Sequence, residues 1–168
     1  MILGNMFMKK SKLSSFKLFL ISFISIGILA YISGQFTKDS VHSWYTTLHR
    51  SSLNPPDVVF PIVWGILYPM IAFAFWRLLL QKQNKPMPLG PLTYFYIQMI
   101  LNFLWSPVFF YFRSPIGGII IILLLWISLL LTIIASYKHC KMAAFLLTPY
   151  FLWVSFAVYL NAFISLYN

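Results

Sequence analysis

The 168 residues are 61% hydrophobic and only 8% charged, with two acidic side chains against twelve basic ones. A soluble domain carries about 25% charged residues, so this chain lacks the polar surface to stay in water and belongs in a bilayer. One cysteine, Cys140, excludes an internal disulfide or a multi-cysteine metal site, and two carboxylates, Asp39 and Asp57, exclude chemistry built on a buried acid pair.

Residues 1–8 read as an unstructured start, with Met1, Met6 and Met8 as alternative initiators. Charges then divide the chain into neutral runs of 20, 19, 27, 24 and 27 residues. A helix needs about 20 mainly apolar residues to cross the hydrocarbon core, so each run holds one crossing and none holds two. The spacing predicts transmembrane helices near 17–36, 59–81, 91–112, 115–137 and 142–166. Unbroken stretches such as Ile119–Leu125 lack the alternation of a membrane β-barrel. The first run also resembles a signal peptide, with Lys9, Lys10, Lys12 and Lys17 ahead of it. Its full helix length and the absence of a clear small-x-small cleavage site favour a retained span.

The fold class is therefore an all-α integral membrane protein, a five-helix bundle in one domain. Between the first and second spans, residues 37–58 form a long connection without helical period. Its Trp44, Tyr45, Leu48, Pro55 and Pro56 are too apolar for a disordered linker and predict a lid over one end of the bundle.

With the N-terminus inside, nine basic residues fall on the inner side, and only Lys38, Arg50 and Arg113 on the outer. That is the positive-inside bias, and it accounts for the net charge of +10 without nucleic acid as a partner. The expected location is a bacterial plasma membrane.

No acidic residue lies within a span, which argues against an ion-coupled carrier. His42, His49 and His139 are scattered in connections and suggest no metal site, and no cofactor is expected. The interior offers rings and amides instead. Gln98, Asn102, Trp105, Phe109 and Phe112 fall on one helical face; so do Phe60, Trp64, Tyr68 and Ala72, and Pro149, Trp153, Ala157 and Asn161. Such stripes are either packing seams or the walls of a site for a large flat apolar molecule. A buried amide costs several kcal/mol unless hydrogen-bonded, so the asparagines favour the site. Trp44 and Trp76 suit interfacial anchors; Trp105 and Trp153 lie too deep. Pro69, Pro107 and Pro149 fall within spans and predict kinks. Ala30-x-x-x-Gly34 and Ser128-x-x-x-Thr132-x-x-x-Ser136 are small-residue patterns that serve either intramolecular packing or a homodimer seam.

Four segments carry a family resemblance: Trp44-Tyr45-x-x-Leu48 with Pro55-Pro56; Val63-Trp64-Gly65-Ile66-Leu67-Tyr68; Leu101-Asn102-Phe103-Leu104-Trp105-Ser106; and Pro149-Tyr150-x-Leu152-Trp153-x-x-Phe156-Ala157-x-Tyr159-Leu160-Asn161. In this order they resemble the translocator protein family, also called tryptophan-rich sensory proteins or peripheral benzodiazepine receptors (TspO/MBR). The resemblance implies a five-helix bundle, often dimeric, that binds porphyrins and synthetic isoquinoline and benzodiazepine ligands in an upper cavity closed by the first loop. Carried over by position, it implies ligand contacts from Tyr45, Leu53, Pro55, Trp64, Asn102, Trp105, Phe109, Trp153 and Ala157. Some members are described as degrading porphyrin in light, and the motif tryptophan implicated there is Trp153 here.

Two departures stand out. Leu53 replaces a lid tryptophan tied to the porphyrin reaction, and a leucine has no indole N–H and cannot donate an electron. The sterol motif of animal members is also missing, because its tyrosine position is Ala162 and no basic residue follows. The expected function is thus a membrane receptor or sensor for tetrapyrroles and similar flat guests. Light-dependent degradation through Trp153 and facilitated porphyrin or lipid transport are the alternatives.

Overall fold

The computed structural model describes residues 13–168; the alternative initiators and Lys9, Lys10 and Lys12 lie outside them. Every regular element among the described residues is helical: α1 (Ser15–Val41), α2 (Trp44–Thr47), α3 (Val59–Asn84), α4 (Gly90–Ser106), α5 (Pro115–Tyr137) and α6 (Lys141–Tyr167). A π-helical turn, Pro107–Tyr111, continues α4. The lengths follow from the neutral runs, because a backbone in hydrocarbon satisfies its N–H and C=O groups most simply as helix. Four helices, α1, α3, α5 and α6, are each long and apolar enough to cross a bilayer.

Local chemistry sets the ends. The Ser14 hydroxyl accepts from the Lys17 N–H at the start of α1, and Ser114 accepts from Gly117 N–H at 3.1 Å at the start of α5, each an N-cap. Pro115 occupies the first turn of α5, where its missing N–H costs nothing. Arg113 turns the chain between the π-helical turn and α5 with φ 51.

Two expectations change. The long connection begins at His42 rather than at residue 37, because α1 runs on to Val41, and it contains the short helix α2. The predicted helix 91–112 is not uniform, because the chain passes from α4 into i→i+5 bonding at Pro107, closed by Phe112 N–H to the Pro107 carbonyl at 2.9 Å. Pro107 cannot donate a backbone bond to Phe103, and the wider turn absorbs that gap. Phe112 consequently leaves the stripe on which Asn102, Trp105 and Phe109 lie; it is 68% exposed, while Phe110 turns inward and is buried.

The long helices close a ring. α1 packs on α3, α3 on α6, α6 on α5, α5 on α4, and α4 with its π-helical turn returns to α1; α3 and α4 meet little across the middle. The lower half of the ring is solid, filled by Ile71, Leu78, Phe95, Leu129, Leu147 and Tyr150 among others. At the upper end, which carries residues 42–58, Tyr45, Phe109, Phe110 and Ile164 form a second cluster with Trp44 packed against it. Ser128, Thr132 and Ser136 are buried within the protein, so this small-residue row of α5 serves intramolecular packing. Trp76 donates its indole N–H to the Ser15 carbonyl at 3.0 Å. Trp44 meets Phe109 edge to face, with ring centroids 5.5 Å apart.

Candidate ligand-binding chamber

Between the two clusters the helices enclose a chamber of about 630 Å³. It lies within the roughly 300–1,000 Å³ range of small-molecule sites. α3 contributes Phe60, Trp64 and Tyr68, α4 and its π-helical turn contribute Trp105, Phe109 and Phe110, and α6 contributes Trp153. α2 covers the top with Tyr45, while α5 supplies only aliphatic wall through Ile122 and Leu125. The α1 side is small or polar, from Ala30 and Gly34 to Lys38 and His42 at the rim.

The rings are ordered by one another. Trp105 stacks on Phe109 with centroids 5.2 Å apart and planes 12° from parallel, and Trp64 stacks on Tyr68 at 4.9 Å. Trp153 meets the edge of Phe60 at 5.8 Å. Such pairs add about 0.5–1.5 kcal/mol beyond their burial, so the walls are held in place before any guest arrives.

Two polar groups of α4 and α6 have different fates. Asn102 is bonded at both ends: its Oδ1 accepts from Tyr68 Oη at 3.3 Å, and its Nδ2 donates to Tyr150 Oη at 2.8 Å. This chain of bonds ties α3, α4 and α6 together at the chamber floor. Asn161, one of the α6 stripe residues, is 2% exposed. Its Oδ1 faces the Trp105 indole N–H at 3.5 Å, and its Nδ2 has no partner among the described residues. Gln98, one turn below Asn102, is fully buried with both amide atoms unpartnered among the described residues, and it lies outside the chamber wall.

The room between α5 and the π-helical turn depends on Gly118. A Cβ there would stand 2.6 Å from Phe109 Cδ2 and 3.0 Å from Asn161 Oδ1. Ser40 of α1 donates to the Phe110 carbonyl at 2.8 Å, which satisfies one of the carbonyls left over at a helix end.

The 42–58 segment is fastened at several points. Tyr45 donates to Asn54 Oδ1 at 2.8 Å, and Arg50 pairs with Asp57 at 3.2 Å while lying 5.1 Å from the Tyr45 ring centroid. Burial pushes the Tyr45 phenol above its ordinary pKa, with the Arg50 charge pulling the other way. Ser51 and Tyr159 share a hydrogen bond at 2.8 Å. At the end of α6, Asn168 clasps one backbone residue from both sides, accepting from His49 N–H at 2.8 Å and donating to its carbonyl at 3.2 Å. The His49 ring stacks on Phe163 at 5.7 Å. Removing that clasp with Asn168→Ala is expected to raise the hydrogen-exchange rate of the His49 amide about five- to tenfold, the effect of one lost bond of about 1 kcal/mol. Exchange measured by mass spectrometry on the 48–54 segment checks this.

Of the nine ligand contacts expected from sequence, Tyr45, Trp64, Asn102, Trp105, Phe109, Trp153 and Ala157 line the chamber. Leu53 and Pro55 do not. Residues 51–54 close a turn, with Asn54 N–H on the Ser51 carbonyl at 2.9 Å and Leu53 N–H on Ser51 Oγ at 3.1 Å. That turn carries Leu53 outward to 64% exposure. Pro149 likewise faces out while Tyr150 faces in, so the inner face of α6 begins one residue later than the stripe suggested. Tyr150, Phe110, Lys38 and His42 are the wall and network residues that the stripes left out. Tyr150 stood in the quoted Pro149-Tyr150 motif, and the Pro107 within a span was the available sign of Phe110.

Comparison with known proteins identifies the family of the chain. The TspO/MBR family model matches residues 19–167. The chain is 41% identical over 133 residues to the tryptophan-rich protein TspO of Chlorobaculum tepidum, covering 79% of this chain and 84% of that one. It is 33% identical over 155 residues to the tryptophan-rich protein TspO of Archaeoglobus fulgidus, covering 88% and 94%. With the human translocator protein it shares 32% identity over 135 residues, 78% of each chain. Helices of membrane-spanning length, the quoted tryptophan motifs and these similarities together place the chain in the TspO/MBR family.

Proposed function

We propose that the protein is a five-span membrane receptor that takes a tetrapyrrole of the protoporphyrin type into the chamber, with residues 42–58 as its lid. The observation that carries this reading is the chamber itself, whose tryptophan and phenylalanine faces come from three separate long segments under a fastened aromatic cap. A flat, mainly apolar guest would bury its faces there, at about 25 cal/mol per Å² removed from water. α4 with its π-helical turn is about 30 Å long at 1.5 Å per residue, enough for the fifth crossing. Lys82, Lys85, Lys138 and Lys141 gather at the lower connections, which supports a cytoplasmic lower end and N-terminus in a bacterial plasma membrane.

Titration of the protein in nanodiscs with protoporphyrin, followed by the shift of the porphyrin absorbance band, tests the proposal. Saturable binding is expected. Trp153→Ala, which removes one wall ring, is expected to weaken it about tenfold, the usual effect of losing a well-packed aromatic contact. Unsaturable uptake that is the same in Trp153→Ala would refute the site.

A further inference from the structure

The basic side of the chamber is gathered at its mouth. Along α1 the wall runs through Ala30, Gly34, Lys38 and His42, one face of a helix at steps of four. Small groups therefore stand in the middle of the wall, and a lysine and a histidine at the top. Lys38 belongs to the last turn of α1, and His42 is the residue that ends the helix. At 1.5 Å per residue His42 stands about 18 Å above Ala30. Both residues are exposed to solvent while lining the chamber, so their heads are within reach of a guest without leaving water.

Among the described residues, Lys38 is the one lysine or arginine of the wall, and neither Lys38 nor His42 makes a side-chain hydrogen bond or ion pair. The acidic groups nearby do not use it. Asp57 also lines the mouth, but Arg50 pairs with it at 3.2 Å and offsets its charge. Asp39 follows Lys38 in sequence and is not part of the wall. The mouth thus keeps an uncompensated ammonium above an interior of rings and aliphatic side chains.

A carboxylate cannot follow a flat guest into that interior, because an ion taken out of water without a partner is strongly penalised. At the mouth it stays partly in water and meets the Lys38 ammonium, whose flexible stem lets the head move to it. His42 adds a ring N–H donor in either tautomer. We propose that Lys38 and His42 form a carboxylate-binding rim: the chamber selects flat apolar molecules that carry carboxylates on one edge, and holds that edge at the mouth with the ring body below. This rests on the chamber being a site for tetrapyrrole-type guests, and it adds the charge and the orientation of the guest.

Protoporphyrin and its dimethyl ester are matched probes that share one ring system and differ in whether the carboxylates are free. Their affinities are measured for the full-length protein in nanodiscs of neutral lipid, and the ratio of acid to ester is compared between variants. In one membrane the unequal partition of the probes into lipid cancels from that comparison. Lys38→Gln is expected to lower the ratio about fivefold, the effect of ion pairs left partly in water, and adding His42→Leu should lower it further. Lys38→Arg should keep it, and raised salt should lower it in the unmutated protein by screening. Arg113→Gln removes the same charge at the same end of the bundle but outside the wall, and should leave the ratio unchanged. A ratio that Lys38→Gln does not change, or that Arg113→Gln lowers as much, refutes the rim and leaves the flat-guest chamber standing. Absence of saturable binding for both probes refutes rim and chamber alike.

Discussion

Gly118→Val is expected to close the chamber and lower stability together. The added Cβ alone would stand 2.6 Å from the Phe109 ring and 3.0 Å from Asn161 Oδ1, and valine carries two further methyl groups. Phe109 cannot retreat easily, because it is stacked on Trp105 and packed under Trp44 and Tyr45. Inward movement of the ring takes the space of the guest. Overpacking of this kind costs about 1–3 kcal/mol, and loss of chamber volume should weaken protoporphyrin binding by more than tenfold. Gly27 is the control, since a Cβ there meets nothing within 4 Å. Gly27→Val should shift stability by no more than about 0.5 kcal/mol and leave binding unchanged. Thermal unfolding in detergent and the porphyrin titration, run on both variants, decide the matter; equal behaviour of the two would show that Phe109 has room to move.

The second large effect is expected at the chamber floor. Asn102→Leu keeps the volume but removes both bonds that join Tyr68, Asn102 and Tyr150. Tyr150 is fully buried, so its hydroxyl loses the amide donor with no water to replace it. An orphaned buried polar group costs about 1–3 kcal/mol, and the membrane setting places the result toward the lower part of that range. Tyr150→Phe removes only the hydroxyl and leaves the Tyr68–Asn102 bond intact, so it should cost less. The ordering Asn102→Leu worse than Tyr150→Phe is the outcome to look for in unfolding measurements. Equal or reversed costs would mean that the three groups do not act as one network.

How much of this was legible beforehand varies by element. The long helices were visible because charge is so costly in hydrocarbon that it marks span ends: Lys17, Lys38, Lys82, Lys138 and Lys141 all fall at or near helix termini, while Arg77 lies about two turns inside α3. The wall stripe Trp64–Tyr68 and the pair Trp105 and Phe109 were visible because a regular helix repeats its face every three or four residues. The same rule failed at Phe112. There the period itself changes, through a π-helical turn that begins at Pro107, and a fixed period cannot register an inserted residue. It also failed at the start of the α6 stripe, where Pro149 and Tyr150 are neighbours and only packing decides which one turns inward.

The 42–58 segment was foreseen as packed rather than disordered, from its aromatic content. Its fastening was not foreseeable, because the partners are remote in sequence: His49 with Asn168 and Ser51 with Tyr159. Leu53 shows the limit of position-by-position transfer. A motif places a residue in the right segment, but the turn at 51–54 sets its direction.

By itself the amino-acid sequence determined the helical class, the approximate places of the long helices and most of the aromatic wall, since these depend on composition and on periodicity within single segments. Only the tertiary structure decided that Asn102 is bonded at both ends while Asn161 Nδ2 has no partner among the described residues, and that the missing side chain of Gly118 leaves room for Phe109 and Asn161. Those outcomes depend on which side chains from different helices arrive within hydrogen-bonding reach of one another, and no local pattern encodes that meeting.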